Sequence, residues 1–304
     1  MTFLPFIEAV DGFPYHTTAG FSELVAHDGK TAIGYVNDKI KADFVASQKF
    51  LVNESQIIIK PEYDTFDKRC ELFAQLASEW RQLPHYDELL NKGWRDELYV
   101  VYNPSRVPYM NLERAFSVLI GVVTYGVHLN GYVPATKTKS GAMKLWIPRR
   151  SPTKPTYPGM LDNTVAGGLG VPYGLHETVV KECFEEAGLP EQFVLTHTRS
   201  AGVVLYLYRT EDDRVQPEVE YIYDIEFDDE TTIVPNPQDG EAEDFQLMTV
   251  DEVVAEVKAG HFKPNCALVI VDFLVRHGII TPENEPNYHD IVLRCHRTMP
   301  FPVM

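Results

Sequence analysis

A short helix with well-defined ends, preceded by a glycine-rich turn, is the feature that most constrains this chain. Residues 166–175 contain four glycines, and a helix is predicted to follow from about His176 to Ala187. Gly188 can take the left-handed conformation that ends helices, and Pro190 cannot continue one. The sequence therefore fixes both ends of the helix and the face on which each of its side chains lies.

Three glutamates share one face of this helix. Glu185 and Glu186 follow Glu182 by three and four residues, which places the three side chains within an arc of about 100°. Like charges at this spacing repel each other by roughly 0.2 to 0.5 kcal/mol per pair, so helix stability does not explain them. A bound divalent cation does, and carboxylate oxygens suit Mg²⁺ or Mn²⁺. The alternative is an acidic face that contacts only solvent.

The match to a known motif favours the cation. The stretch resembles the Nudix box, Gly-x5-Glu-x7-Arg-Glu-U-x-Glu-Glu-x-Gly-U with U aliphatic, and the second half of the box matches residues 181–189. Nudix enzymes hydrolyse a nucleoside diphosphate, or another organic diphosphate, linked to a further group. The resemblance implies a Nudix α/β/α sandwich with a mixed sheet. It also implies that Glu182 and Glu186 are primary metal ligands and that Glu185 is a further ligand or bridge.

Two positions depart from the box. Lys181 replaces the arginine, and Tyr173 occupies the position of the upstream glutamate. Lysine keeps the positive charge but loses the bidentate fork of arginine, and Glu177, four residues earlier, is predicted to pair with it. The glycine of the box falls on Gly167 by spacing, but the family's double glycine also resembles Gly167 with Gly168. A carbonyl of either glycine would join the metal shell, and we assign Gly168.

The resemblance extends over most of residues 110–298 and, more weakly, into the N-terminal part. It is to the Nudix subfamily that occurs alone or fused to thiamine pyrophosphokinase, and it implies hydrolysis of diphosphates of thiamine or its damaged oxo and oxy analogues to a monophosphate plus phosphate. Two alternatives remain open, namely another substrate such as ADP-ribose, or a non-catalytic module that binds diphosphates. The matching stretches are GVHLNGYV, LWIPRRSPTKPTYPGMLDNTVAGG, DGEAEDFQLMTVDEV and HFKPNCALVIVDFLVRHGIITPE.

Further site residues are expected outside the box. Many Nudix enzymes take another glutamate from a separate loop, and DGEAEDF offers Glu241 and Glu243. We assign Glu243 as general base or ligand, with surface charge as the alternative. Arg149, Arg150 and Lys154 lie between a predicted strand and the glycine turn, so we assign them to the substrate phosphates. A solvated strand end is the alternative for these three.

Other polar and aromatic residues give weaker indications. His128 and Asn130 alternate with apolar neighbours on a predicted strand, so one of the pair is a candidate for the pocket. Asp162 and Asn163 are expected to form a turn rather than to contact substrate. Several tyrosines at alternate strand positions are able to stack on a heterocycle, although such residues more often belong to the core. They are Tyr157, Tyr206, Tyr208, Tyr221 and Tyr223.

The chain is predicted to form two domains, an α+β domain of residues 1–112 and a Nudix domain of residues 113–304. An apolar stripe predicts a helix from Phe66 to Leu83 in the first domain. In the second, strands are predicted at VHLNGYV, MKLWIPRR, VVLYLYR and EYIYDIEF, with helices near residues 113–120, 250–258 and 267–277. We expect the first domain to close over the Nudix pocket and help to select the substrate.

Charge and composition limit the partners. The net charge is −17, and residues 211–256 contain 17 acidic residues against one basic residue, Arg214. Nucleic-acid binding needs basic surface, so the expected partner is a small diphosphate and not a nucleic acid. No apolar run is long enough for a membrane helix, the N-terminus lacks targeting features, and the four cysteines lack metal-site spacing. These features predict a cytoplasmic protein with reduced thiols; the oligomeric state stays open, a homodimer among the options.

Overall fold

The computed structural model describes residues 2–304. Its helices are α1 (Leu4–Glu8), α2 (Asp38–Ser47), α3 (Phe66–Trp80), α4 (Arg114–Leu119), α5 (Leu175–Ala187), α6 (Glu191–His197), α7 (Val250–Lys258), α8 (Pro264–Arg276) and α9 (Tyr288–Cys295). Its strands are β1 (Ser22–Val25), β2 (Ala32–Val36), β3 (Phe50–Val52), β4 (Gln56–Ile59), β5 (Leu98–Tyr102), β6 (Pro108–Glu113), β7 (Thr124–Val133), β8 (Lys144–Arg150), β9 (Val165–Gly168), β10 (Thr198–Arg209), β11 (Val215–Glu226) and β12 (Ala242–Thr249).

The N-terminal domain is built on a four-stranded sheet in the order β2-β1-β4-β3. Helices α2 and α3 pack against this sheet in one apolar core. Thr65 caps α3, where its side chain accepts a hydrogen bond from the Lys68 N–H. The helix ends at Trp80 rather than at the predicted Leu83, and a 3-10 turn of Pro84–Tyr86 follows. Proline has no N–H to donate, so it favours the start of a new turn over continuation of the helix.

The core of the N-terminal domain continues past residue 112, where we predicted the domain boundary. Strands β5 and β6 form an antiparallel hairpin, and α4 follows directly. Phe116 and Leu119 of α4, and Val122 after it, are buried in the same cluster as Phe73 of α3. The change of sequence pattern near residue 112 therefore marks a change of secondary structure within one core.

The C-terminal domain contains a mixed six-stranded sheet. Its order is β10-β11-β7-β8-β12, with β9 also paired to β7. Strand β7 runs parallel to β11 and antiparallel to β8 and β9. The predicted α/β class, with a mixed sheet behind a smaller α+β domain, is confirmed.

Helices cover both faces of this sheet. On one face, α5 and α6 bury Val179, Cys183 and Phe193 against Val127 and Ile225. On the other face, α8 packs together with α1, α7 and α9 against residues of β8, β10 and β11. The layers are therefore α/β/α, and the free edge of the short strand β9 lies beside α5.

The beginning of the chain packs with the C-terminal domain. Helix α1 contacts α8 and α9, and the buried Asp11 accepts a 2.9 Å hydrogen bond from Arg297. The sequence patterns did not predict α1, α6, α9 or β12. Each of the three helices is short, and β12 lies within the acidic segment, where apolar periodicity is weak.

All four cysteines of the chain are free thiols. Cys183, Cys266 and Cys295 are buried free thiols, and Cys70 is a half-buried one. None of the helices in residues 2–304 has the length and apolar character that a bilayer crossing requires.

Candidate active site

The three glutamates of α5 line a cavity between the two domains, which we call the outer cavity. Its volume is about 900 Å³, and its walls include Glu182, Glu185, Glu186, the glycine turn and residues 93–97 of the N-terminal domain. This volume suits a small-molecule site, and such sites favour domain interfaces. The predicted acidic cluster therefore faces a cavity and not open solvent.

The ends of α5 orient these glutamates. Glu177 accepts a 2.9 Å hydrogen bond from the Gly174 N–H and caps the first turn. The predicted pair between Glu177 and Lys181 is therefore wrong, because the Glu177 carboxylate satisfies the free N–H groups at the start of the helix. Lys181 instead donates to Glu182 at 2.9 Å and lies 2.8 Å from Glu185.

The two departures from the box contact each other. The Lys181 ammonium lies 5.9 Å from the centroid of the Tyr173 ring, a distance within the range of a cation–π interaction. Burial lowers the pKa of Lys181, but the carboxylates of Glu185 and Glu182 outweigh burial and raise it. Lysine therefore stays charged beside the two carboxylates.

The three carboxylates differ in exposure. The side chain of Glu182 is 14% exposed and that of Glu185 is 50% exposed. Glu186 accepts a 3.0 Å hydrogen bond from the Ala166 N–H of β9. Burial raises the pKa of Glu186 well above its ordinary value, and the charge of Glu182 adds to this effect. Burial also raises the pKa of Glu182, although Lys181 opposes the shift.

Gly167 and Gly168 allow close contacts on opposite sides of β9. A Cβ at position 167 would overlap the carboxyl group of Glu182, and one at position 168 would overlap the hydroxyl of Tyr99 in β5. The Gly168 carbonyl accepts a 3.2 Å hydrogen bond from the Gly170 N–H. Gly167 is thus the glycine beside Glu182, whereas Gly168 contacts the N-terminal domain.

The donor set suits a hard divalent cation. Within residues 2–304, no three His, Cys, Asp or Glu side chains converge closely enough to hold a metal ion. Two of the carboxylates are directed to Lys181 instead, and the third is hydrogen-bonded to β9. Two half-buried carboxylates beside a glycine turn nevertheless offer the oxygen ligands that Mg²⁺ and Mn²⁺ prefer.

Of the three cations predicted to bind the substrate phosphates, Arg150 and Lys154 line the outer cavity and Arg149 does not. Arg149 donates a 2.8 Å hydrogen bond to the Gly159 carbonyl and does not line the outer cavity. Arg150 lines it, but this buried guanidinium donates to Asp162 at 2.6 Å and to two backbone carbonyls. Asp162, expected to be a turn residue, is therefore a buried ion-pair partner. Lys154 also lines the cavity.

The acidic loop contributes Glu241 to the outer cavity and does not bring Glu243 there. Strand β12 pairs with β8, and the register shifts between Ala242 and Asp244. Glu243 lies at this bulge and is exposed. Glu241 pairs with Lys154 at 2.6 Å. This bulge decides which of the two glutamates faces the outer cavity. The alternation of polar and apolar residues in the sequence does not predict it.

A second cavity of about 420 Å³, the inner cavity, adjoins the outer one. Ala166, Gly167 and Gly168 of β9 line both cavities, as does Lys263. The two cavities therefore meet around the free edge of β9. Polar and aromatic side chains line the inner cavity, among them His128, Tyr157, Tyr208, Glu218 and Glu220.

Glu218 and Glu220 form a carboxyl pair in the wall of the inner cavity. The Tyr206 hydroxyl donates to both of them, at 3.1 Å to Oε1 of Glu220. Burial and the charge of Glu220 raise the pKa of Glu218 to about 7. Burial also acts to raise the pKa of Glu220, but His128 outweighs it and lowers the pKa. The pair therefore carries one negative charge near pH 6, located mainly on Glu220.

His128 is held against this pair. Its Nδ1 lies 2.7 Å from Oδ1 of Asn163, and its Nε2 lies 3.7 Å from Oε1 of Glu220. Burial lowers the pKa of His128, but the Glu220 carboxylate outweighs burial and raises it well above its ordinary value. Of the two strand residues considered from the sequence, His128 lines the inner cavity, whereas Asn130 is buried next to Asp224.

Comparison with known proteins identifies the domains. A model of the NUDIX domain matches residues 133–267, and one of a domain of unknown function, DUF4743, matches residues 19–124. The uncharacterized protein YJR142W of Saccharomyces cerevisiae is 41% identical over 327 residues, which cover 100% of this chain and 93% of the yeast protein. Nudix hydrolase 20, chloroplastic, of Arabidopsis thaliana is 42% identical over 212 residues. Residues 133–267 form a Nudix domain.

The match to the plant Nudix hydrolase covers only part of each protein. The match to Nudix hydrolase 20 covers 68% of this chain and 54% of the plant protein, so the chain spans about half the length of that relative. Among solved structures, the Nudix domain of Shewanella oneidensis NrtR complexed with ADP ribose is 12% identical, with a TM-score of 0.39 over 51% of this chain and 88% of that one. The chain is a Nudix-type diphosphate hydrolase, and Nudix hydrolases generally use divalent metals.

This Nudix site contains two cations that sequence reasoning missed. Lys263, just before α8, lines both cavities and has no ion-pair partner within 4.0 Å among residues 2–304. Burial lowers its pKa, but Cys266 and Asp162 outweigh burial and raise it. Arg114 of α4 also lines both cavities and pairs with Glu97 at 2.9 Å. The sequence located the helix after Lys263, but nothing in the sequence indicates which way that side chain points.

Proposed function

We propose that this Nudix hydrolase cleaves diphosphates of thiamine or its damaged oxo and oxy analogues to a monophosphate plus phosphate. One observation carries the proposal: the acidic Nudix helix lines a cavity that adjoins a second one of about 420 Å³. Diphosphate and heterocycle then occupy adjoining spaces. The choice of thiamine rests on the subfamily resemblance, and the two-cavity geometry supports a diphosphate joined to a compact ring system.

Glu182 and Glu186 would hold Mg²⁺ or Mn²⁺, with Glu185 as a further ligand and a carbonyl of Gly168 or Gly167 as an auxiliary one. The ion, when bound, neutralises phosphate charge and activates a water. Lys181 would release the carboxylates as the ion arrives, because both compete for the same oxygens. Its cation–π contact with Tyr173 gives the lysine an alternative position.

The substrate phosphates require cations from the protein as well. Lys263 is suited to this role, because its ammonium reaches both cavities without a carboxylate partner within 4.0 Å in residues 2–304. Lys154 and Arg114 also line the outer cavity, but each is paired with a glutamate. Arg150 holds the loop that precedes the glycine turn, since its donors are directed to Asp162 and to the carbonyls of Thr156 and Tyr157.

We assign Glu241, rather than Glu243, as the additional acid–base residue. Glu241 lines the outer cavity, and its charge contributes to the raised pKa of Glu186. A general base must lie within reach of the reacting water. Glu243 lies outside the lining residues, although a movement at the bulge would bring it nearer.

A diphosphate panel tests the proposal. Product formation by the full chain would be measured with Mg²⁺, as inorganic phosphate from thiamine diphosphate and oxythiamine diphosphate and as AMP plus ribose 5-phosphate from ADP-ribose. We expect the thiamine compounds to have the highest kcat/KM, and Glu185→Gln and Glu186→Gln to abolish most of the release. Glu191→Gln on α6 serves as a control outside the cavity. Preference for ADP-ribose would contradict the substrate, and tight binding without turnover would indicate a non-catalytic module.

A further inference from the structure

We propose that the inner cavity is the heterocycle site of this enzyme and that Oε2 of Glu220 recognises an N–H donor of a nitrogen heterocycle. This inference rests on the proposed function, because the heterocycle is taken to be the group attached to the diphosphate. It assigns ligand selection to residues of the central sheet that lie outside the Nudix box.

The first observation is an unpartnered carboxylate oxygen. Glu220 is 6% exposed, and its Oε2 has no hydrogen-bond partner within residues 2–304. Leaving a buried polar group unpaired costs about 1 to 3 kcal/mol, and more for a charged group. Glu220 lines the inner cavity, so a ligand that donates a hydrogen bond to this carboxylate would remove that cost.

The other oxygens of the pair already have partners. Gln216 donates to one oxygen of Glu218, and the Tyr206 hydroxyl lies within hydrogen-bond distance of the other oxygen and of Oε1 of Glu220. His128 approaches that same Oε1. The acceptor without a partner is therefore Oε2 of Glu220.

The position of this carboxylate depends on a glycine in the neighbouring strand. Gly126 of β7 lies directly opposite Glu220 in the parallel pair, and a Cβ at position 126 would overlap Oε2 of Glu220. Both residues line the inner cavity. Glycine at position 126 therefore allows the Glu220 carboxylate to lie close against β7 in the cavity wall.

The remaining walls suit a flat ring. Tyr99, Tyr125, Tyr157 and Tyr208 line the inner cavity, and aromatic faces stack on heterocycles. Tyr157 is 42% exposed, so it is a large apolar surface that a bound ring would cover. Of the tyrosines noted from the sequence, Tyr221 and Tyr223 contact the opposite face of the sheet.

The position of Lys263 connects the ring to the diphosphate. Its side chain is in the wall of both cavities, next to the edge of β9. A ring in the inner cavity therefore has its substituent directed past Lys263 toward the Nudix glutamates. The amino group of an aminopyrimidine and the N–H of a pyrimidinone are both suitable donors for Glu220.

The first arm of the test compares substrates with and without a ring. We would measure kcat and KM of the full chain and of Glu220→Gln on thiamine diphosphate, oxythiamine diphosphate and isopentenyl diphosphate. We expect kcat/KM to fall about 10-fold to 100-fold on the two ring compounds, mainly through KM, and less than about 2-fold on isopentenyl diphosphate. Glu226→Gln, at the exposed end of the same strand, is the matched control.

The second arm measures binding without turnover. Calorimetric titration of thiamine, which has no phosphate, into the full chain with EDTA should give binding that Glu220→Gln and Gly126→Ala each weaken at least about 10-fold. Thermal unfolding of each variant within a few degrees of the parent would show that it folds. If Gly126→Ala does not fold, Glu220→Gln alone decides.

The outcomes separate this inference from the proposed function. An equal loss on isopentenyl diphosphate, or unchanged kcat/KM and thiamine binding in Glu220→Gln, overturns the heterocycle site. If the parent chain releases phosphate from none of the diphosphates, the proposed hydrolysis fails, and the thiamine titration still tests the site. Selective loss on the ring compounds, with thiamine binding weakened in parallel, supports it.

Discussion

The two cavities each contain a glutamate cluster, and the surroundings of these clusters give the same residue type different chemistry. In the outer cavity, Glu182 and Glu185 lie on a half-exposed helix face, and both contact the long side chain of Lys181. In the inner cavity, Glu218 and Glu220 lie on a central strand and contact tyrosine, glutamine and histidine. The outer cluster can exchange its lysine for a metal ion. The inner cluster is fixed, and it offers one acceptor atom.

The comparison teaches that charge alone does not define a carboxylate site. A cation such as Mg²⁺ needs several oxygens that can rotate toward one point, and side chains on a helix surface have this freedom. A neutral N–H donor needs one oxygen at a fixed position, which a central strand provides. We therefore expect substitutions in the outer cavity to reduce turnover and substitutions in the inner cavity to change selectivity.

The largest effect is expected at Glu186. Glu186→Gln should lower kcat on thiamine diphosphate at least about 100-fold, because removing a ligand costs more than the 10-fold to 100-fold typical of outer-shell changes. Steady-state phosphate release at several Mg²⁺ concentrations would measure this. The exposed Glu185 should be less sensitive. Equal activity of Glu186→Gln and the parent would remove the distinction between the two cavities.

A smaller effect is expected at Lys263, which the cavities share. Lys263→Gln should raise KM about 10-fold to 100-fold, because a buried charge-assisted contact to phosphate is lost. It should weaken the binding of thiamine monophosphate similarly in calorimetry. Lys258→Gln, at the end of α7, is the control. A change in kcat with unchanged KM would place Lys263 in the chemical step instead.

The glycine turn joins the cavities, and its packing gives a stability prediction. Gly168→Ala should lower the free energy of unfolding by about 1 to 3 kcal/mol, because the new methyl group meets the Tyr99 hydroxyl. Tyr99→Phe removes that oxygen, so the double variant should recover part of the loss. Urea unfolding of the four chains gives the interaction energy. Strict additivity would show that Tyr99 and Gly168 are not in contact.

The inner carboxyl pair gives a prediction about pH. The pKa of Glu218 is raised to about 7, so the folded protein holds this proton more tightly than the unfolded chain does. This contribution is fully present below about pH 4 and is lost as pH rises to about 7. Glu218→Gln should remove this loss, because glutamine has no proton to release over this pH range. Urea unfolding at pH 5 and pH 8 compares the two chains.

The smallest effect is expected at Glu243, one of the two glutamates of the acidic loop. Glu243→Gln should change kcat/KM by less than about 2-fold, because an exposed side chain outside the cavity contributes little. Glu241→Gln should lower kcat about 10-fold or more if it supplies acid–base assistance. Phosphate release by both variants decides the assignment. A larger loss at Glu243 would restore the assignment made from the sequence.

The sequence by itself determined the Nudix helix and the class of fold. Gly188 has φ of 62° and ends α5, as its position before Pro190 predicted. The glutamates share a face because helical spacing depends only on local geometry. The same applies to the long strands, whose apolar patterns were read correctly. In the N-terminal domain, the local change of pattern at residue 112 was misleading, since the core includes Val122.

Only the tertiary structure decided which polar groups line the site. Lys263 and Glu220 are remote in sequence from the Nudix box, and their places follow from how α8 and β11 pack around β7 and β9. The choice of Glu241 over Glu243 depends on one bulge. Spacing along a helix is a local property that sequence specifies, whereas the direction of a side chain into a cavity depends on long-range pairing and register.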